Sequence, residues 1–169
     1  DNQATNQYSI VFGGVSSTAS GYQSAVFVSG AGKASGSYGI VLGGTRNTAS
    51  GGYSLALGYK SVSNGLYSLA QGYQSYANGI ASIAMGYQAN ACGAYSISLG
   101  KETYAIGKNS FAAGLGSIAS GDSSTAIGEG AQAKGLQSTS LGVNTIGNSY
   151  AERVIGISNT TVTPISSTD

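Results

Sequence analysis

Apolar and small residues alternate along this chain in short bursts that stop at a glycine, and the bursts recur every 14 residues. Ser82-Ile83-Ala84-Met85-Gly86 is one burst and Ser96-Ile97-Ser98-Leu99-Gly100 is the next, with a shorter alternation through Ala89, Ala91 and Gly93 between them. The period of two, with Ile, Val, Leu, Phe and Thr at the variable positions, predicts β-strands. Two glycine series hold the register: Gly58, Gly72, Gly86, Gly100, Gly114, Gly128 and Gly142, and Gly65, Gly79, Gly93, Gly107, Gly121 and Gly135. A glycine at every seventh residue does not make a heptad, because glycine costs about 1 kcal/mol against alanine in a helix and offers no knob.

The pattern S-x-A-x-G-x-x-x-x-A-x-G-x-x starts at Ser9, Ser24, Gly39, Ser54, Ser68, Ser82, Ser96, Ser110, Ser124 and Ser138, which makes ten units. The first three are 15 residues long. Gly13 to Gly21 and Gly43 to Gly51 are eight apart where seven is the rule, so the extra residue falls in the turn after the first strand as a bulge or widened corner. Val28 and Gly39 replace the expected glycine and serine. Each unit holds two short strands and two corners, with no room for a crossover helix. The chain must coil so that each strand pairs in parallel with its counterpart one turn later, as a β-solenoid.

Parity assigns the faces. Ser, Ala and Gly of the first strand point one way; Ala77, Ala91, Ala105, Ala119 and Ala133 of the second, continued by Ser61, Ser75, Ala89, Thr103, Ser117 and Ala131, make a matching small-residue face. These faces are expected to meet inside a thin roll. The large residues then form an outward ridge of Ile10, Phe12, Phe27, Ile40, Leu42, Leu55, Leu57, Leu69, Ile83, Met85, Ile97, Leu99, Phe111, Ile127 and Leu141, with Gln71, Thr125 and Thr139 in the same stripe. Leaving each large side chain in water forgoes about 1.5–3 kcal/mol, and the stripe exceeds the few hundred Å² a monomer normally exposes. The ridge is therefore expected to be an obligate interface, in which Gln71 meets its own copies around an axis instead of standing as an orphan. A three-fold axis fits best, although parity does not exclude a two-fold. The competing arrangement puts the bulky side chains inside the roll and the Ala/Gly faces outside.

Side chains at equivalent positions should stack into columns. On the second strand Tyr104, Ile106 and Ile118, with Tyr76 two coils earlier, break an otherwise polar surface and are candidates for partner binding; isolated exposed apolar residues without a role are the plainer reading. Tyr59, Tyr73 and Tyr87 follow the first-strand glycine, and Tyr38, Tyr53, Tyr67 and Tyr95 precede the initial serine. Both columns flank the ridge and serve either to pack across subunit seams or to contact ligand. Lys60, Gln74, Gln88 and Glu102 at the next corner are expected to be solvated.

Composition narrows the chemistry. There is no His, so a His-based triad is impossible and the commonest metal ligand is missing. The six acids Asp1, Glu102, Asp122, Glu129, Glu152 and Asp169 form no close pair on one face, and only Asp122 fits a calcium-binding solenoid, so neither catalysis, metal nor cofactor is expected. A net charge of +1 with scattered basic residues argues against nucleic acid and anionic membrane. No stretch approaches the roughly 20 apolar residues of a membrane helix, and Asp1-Asn2-Gln3 opens the chain without a signal-peptide core, so the sequence reads as a soluble piece. Cys92 falls on the exposed outer column, as a reactive thiol or as the occupant of a variable position.

Ser82-Ile83-Ala84-Met85-Gly86 and Ser54-Leu55-Ala56-Leu57-Gly58 resemble the SVAIG-type repeats of trimeric autotransporter adhesin heads, the YadA-like head domains of Gram-negative bacteria. Gly147-Asn148-Ser149, Glu152-Arg153-Val154-Ile155-Gly156-Ile157 and Thr168-Asp169 resemble the neck that follows such heads. The resemblance implies an all-β, left-handed parallel β-roll of about ten 14–15-residue coils, homotrimeric, with residues 1–147 as head and 148–169 as neck. It also implies a stalk and a C-terminal membrane anchor outside this piece, exposure on the outer-membrane surface, and attachment to a host matrix protein, collagen-like, or a host cell-surface receptor without catalysis. A phage or viral fibre shaft and, more remotely, an ice-binding solenoid remain as alternatives; the neck argues against the first and the variable exposed columns against the second.

Overall fold

The computed structural model describes residues 1–158. It is an all-β parallel solenoid of about eleven turns, made of two 11-stranded sheets between which the chain alternates. One sheet holds the longer strands: Ile10–Val15, Ala25–Gly30, Ile40–Leu42, then five-residue strands from Leu55–Tyr59 to Thr139–Val143, and finally Arg153–Ile157. The other holds two-residue strands, from Gln3–Ala4 to Ile146–Gly147. Every strand pairs in parallel with its counterpart one coil away, as in Leu69↔Ile83, Ala70↔Ala84 and Gly72↔Gly86.

The interior is lined by small side chains. Ala56, Ala70, Ala84, Ala112 and Ala126 of the long-strand sheet and Ala77, Ala91, Ala105, Ala119 and Ala133 of the other are fully buried. Val26 and Val41, the largest fully buried apolar side chains, take the alanine place in the 15-residue coils. Serine hydroxyls join the walls where both offer one: Ser98 Oγ lies 2.8 Å from Thr103 Oγ1, and Ser140 Oγ lies 2.7 Å from Thr145 Oγ1. The arrangement with bulky side chains inside the roll is thereby excluded.

Close stacking explains the glycines. A Cβ on Gly86, whose φ is +139°, would run into the backbone carbonyl of Gly100 in the next coil, and one on Gly93 would meet the carbonyl of Gly107. The corners use left-handed residues besides glycine, among them Tyr, Gln, Lys and Glu. Tyr53, Lys60, Tyr67 and Gln74 have φ between 51° and 60°. Such a conformation costs about 1–2 kcal/mol, and here the N–H it redirects reaches back one coil. Tyr53 N donates to Ser37 O at 2.8 Å and Gln74 N to Tyr59 O at 2.8 Å, while strand N–H groups such as Leu69 N point forward, to Ser82 O at 2.9 Å.

The change from 15 to 14 residues occurs where the glycine spacing places it. Val41 pairs with Ala56, 15 positions on, and Thr45 bridges Tyr59, 14 positions on, so the extra residue is absorbed at Gly43-Gly44. Asn47 closes that corner: its buried amide donates to Gly43 O at 2.9 Å and Gly58 O at 2.7 Å and accepts from Ser61 N at 2.9 Å. Counting from serine finds ten units and misses the ends of the sheets. Gln3–Ala4 is a half coil, and in Glu152-Arg153-Val154-Ile155-Gly156 a glutamate stands in the serine's place while Val154 takes the inward alanine position, pairing with Ser140. The first residues read as neck thus supply the last strand of the sheet; Thr168 and Asp169 lie outside the described residues.

Candidate functional site

The ridge is built by the long-strand sheet. Leu55, Leu69, Ile83, Ile97 and Phe111 stand in one register column and Leu57, Gln71, Met85 and Leu99 in a second. Ile10, Phe12, Phe27, Ile40, Leu42, Ile127 and Leu141 continue the stripe, and every one of the ridge residues is exposed or half-buried in the single chain. The two ends are the most open, with Ile10 at 55% and Phe12 at 66% exposure in the first coil and Ile155 at 77% in the last. Phe12 and Phe27 stack obliquely, centroids 6.4 Å apart. Gln71 projects, exposed, from this apolar surface. Leu66, Ile80 and Leu136, two positions ahead of the serine, are also exposed apolar residues that the alternation did not flag, because they lie in the corner and not on a strand.

Beside the ridge run two tyrosine columns. Tyr38 and Tyr53 stack at 4.6 Å, and Tyr53 and Tyr67 at 5.2 Å. Tyr8 and Tyr22 extend this column edge-on, Tyr22 to Tyr38 at 5.7 Å. Tyr22 escaped the sequence reading because Gln23 occupies the position before the serine. Tyr95 stands apart, since Ala81 interrupts the column. Loss of hydration between its neighbours raises the Tyr38 phenol above its ordinary value, and Tyr53 and Tyr22 push in the same direction. In the second column Tyr59, Tyr73 and Tyr87 stack at 5.1 and 4.8 Å. Lys60 Nζ sits 5.2 Å from the Tyr59 centroid and Lys101 Nζ 5.8 Å from that of Tyr87, so a cation covers each end.

On the short-strand sheet Tyr76, Asn90, Tyr104 and Ile118 pair in succession along four coils. Tyr76, Tyr104 and Ile106 are 37%, 39% and 48% exposed, and Ile118 is half-buried. Between the two tyrosines lies a cavity of about 330 Å³ lined by Gln74, Tyr76, Gln88, Asn90 and Tyr104. Gln74 and Gln88, expected as solvated corner residues, are half-buried here, and Gln88 Nε2 donates to Gln74 Oε1 at 3.1 Å. Cys92 is exposed, one strand-end beyond Asn90.

Residues 49–75, 63–89, 77–103, 100–121 and 119–145 match the YadA head domain repeat. Together these stretches take in more than half of the chain. The chain belongs to that family. In this YadA head the matches begin as the 15-residue coils end and run through the regular 14-residue ones, so they cover the stacked column Tyr59–Tyr87, the cavity and most of the ridge. No curated protein matches the chain. Membership suggests an adhesin-type role for a family that is non-enzymatic in general, and such heads are surface-exposed parts of outer-membrane autotransporters.

Proposed function

We propose that this YadA head is the adhesive end of a bacterial surface adhesin. Its roll is left-handed and works as a homotrimer, residues 148–169 lead as a neck toward a stalk and outer-membrane anchor, and its partner is a host matrix protein, collagen-like, or a host cell-surface receptor. The observation that carries this reading is the ridge. The chain already has a closed interior of alanine and serine, so the apolar stripe serves nothing within one copy, and burying each large side chain contributes about 1.5–3 kcal/mol to association. Identical copies bundled lengthwise bring each ridge column against itself, and Gln71 then meets Gln71. The tyrosine columns at the ridge edges pack across the seams. That leaves the short-strand sheet facing outward, with Tyr76, Tyr104, Ile106 and Ile118 as aromatic and apolar anchors of the kind that dominate binding hot spots.

The test replaces Tyr104 and Ile118 together by Ser and measures attachment to surfaces coated with collagen, with other matrix proteins and with epithelial receptors. At unchanged oligomeric mass, attachment to the recognised surface is expected to fall at least ten-fold, about 1.4 kcal/mol. Undiminished attachment removes these residues from the binding surface.

A further inference from the structure

The cavity on the short-strand sheet has a chemistry of its own. Its five lining residues are two tyrosines and three amides, and none carries a charge. Tyr76 and Tyr104 are two coils apart, with Asn90 on the coil between. Two parallel strand steps separate their attachment points by about 9.6 Å. Ring contacts need about 4.5 Å or more from centroid to centroid, so the gap admits one ring between the two phenols. The volume, about 330 Å³, is at the lower end of small-ligand sites, about 300–1,000 Å³.

The amides decide what kind of ring. Gln88 Nε2 donates to Gln74 Oε1 at 3.1 Å, and Asn90 Nδ2 donates to Gln88 O at 3.0 Å. Among the described residues this leaves Gln74 Nε2 as a donor and Gln88 Oε1 and Asn90 Oδ1 as acceptors without protein partners. Donors and acceptors side by side suit hydroxyl groups, each of which does both. A ring with apolar C–H faces, a hydroxylated edge and no charge is a neutral pyranose. The nearby ion pair of Lys101 and Glu102, 3.8 Å apart, lines none of the cavity.

We propose that Tyr76 and Tyr104 clasp one neutral sugar residue of a host glycan, held at its edge by Gln74, Gln88 and Asn90. This deepens the adhesin reading and rests on it: the outward sheet meets the host surface, and the sugar is what this part of it grips. A lone monosaccharide contact of this size is weak, and a trimer would present it three times, so avidity would supply the useful strength.

Saturation-transfer NMR on the intact chain tests the site with lactose, methyl α-mannopyranoside and methyl N-acetyl-β-glucosaminide, with N-acetylneuraminic acid as the anionic comparison. One neutral sugar is expected to receive saturation at its C–H face, with a signal at least five-fold lower in Tyr104→Ala and in Tyr76→Ala, and kept in Tyr104→Phe, which retains the ring. No transfer to any neutral sugar, equal transfer to the anionic one, or alanine variants that behave as the wild type would overturn the proposal. Attachment to host-cell surfaces before and after enzymatic removal of glycans separates the two readings. Attachment that survives deglycosylation but falls in Tyr104→Ser with Ile118→Ser overturns the sugar site and leaves a protein-binding adhesin; attachment that fails on every surface overturns the adhesin reading while the NMR result stands by itself.

Discussion

The two sheets share one interior and differ in what they turn outward. The long-strand sheet sends Leu, Ile, Met and Phe to its outer face, whereas the short-strand sheet sends Thr18, Lys33, Thr48, Asn90 and Gln132, with a few aromatic and apolar exceptions. Strand length accompanies the difference: five residues give three outward positions per coil, as in Ile83, Met85 and Tyr87, and two residues give one. In an ordinary domain a sheet hides its apolar face in the core and wets the other. Here the core requires so little volume that alanine and serine fill it, and the large side chains are left on the outside of the chain. In the proposed trimer the long-strand face is the association surface, and the short-strand face is left free to meet something unlike itself.

The strongest way to break that comparison is to put charge on each face in turn. Ile83→Asp with Leu99→Asp places two carboxylates in neighbouring ridge columns, where the proposed trimer leaves no water to hold them. An unpaired buried charge costs about 3–5 kcal/mol, and the symmetry repeats it three times. Sedimentation equilibrium is expected to show the mass falling from three chains to one. Asn78→Asp with Lys134→Asp on the exposed columns of the other sheet is expected to leave the mass unchanged. If both pairs behave alike, the two faces are not different in kind.

Much of this difference was legible in the sequence, because a 14-residue repeat with glycines in fixed places leaves parity almost no freedom. Ser82, Ala84 and Gly86 had to share a face, and Ile83 and Met85 had to take the other. Even the widened corner at Gly43-Gly44 followed from a spacing of eight in place of seven. Three things did not follow. The strand of Arg153–Ile157 was hidden because Glu152 breaks the serine signature while Val154 and Gly156 keep the geometry. Tyr22 joins the tyrosine stack from a neighbouring position, since side chains can lean along a column while the repeat counts only backbone places. The cavity between Tyr76 and Tyr104 depends on the size of Asn90 and on corner residues bending back over the sheet, which no one-dimensional pattern records. The columns were readable one at a time; the space between two columns was not.

A finer comparison concerns how the sheets hold to each other inside the roll. In some coils the facing positions, five residues apart, are both alanine, as in Ala84 and Ala89 or Ala126 and Ala131; in others both carry hydroxyls, as in Ser98 and Thr103 or Ser140 and Thr145. Ser98→Ala alone leaves the fully buried Thr103 hydroxyl without its partner, 2.8 Å away in the native chain, and is expected to cost about 1–3 kcal/mol. Adding Thr103→Ala recreates the alanine pair of the preceding coil, and replacing both partners is nearly neutral in such cases. Denaturant titration of the two variants should therefore show the double mutant recovering most of the loss. A double mutant less stable than the single one would mean that the hydroxyl pair fills space that two alanines cannot.

The smallest effect expected belongs to the tyrosine column on the edge of the ridge. Tyr38 stacks on Tyr53 with the rings 5° from parallel, and its phenol is held above the ordinary value of 10.0, first by lost hydration and then by Tyr53 and Tyr22. A raised value in the folded chain means that the unfolded chain releases the proton first as pH rises. The stack's contribution is thus complete below pH 10.0 and declines as pH climbs through the folded value, because ionised unfolded chains are drawn off by mass action. Tyr38→Phe keeps the ring contact and removes the titrating group. Between about pH 8 and about pH 12, its unfolding midpoint should fall less steeply than that of the wild type, and parallel curves would show that the column does not sense its own ionisation. The same pair of curves measured in a dissociated ridge variant distinguishes a stack held within one chain from one covered by a neighbour: covering deepens the loss of hydration, so the alkaline decline should become shallower once the chains are apart.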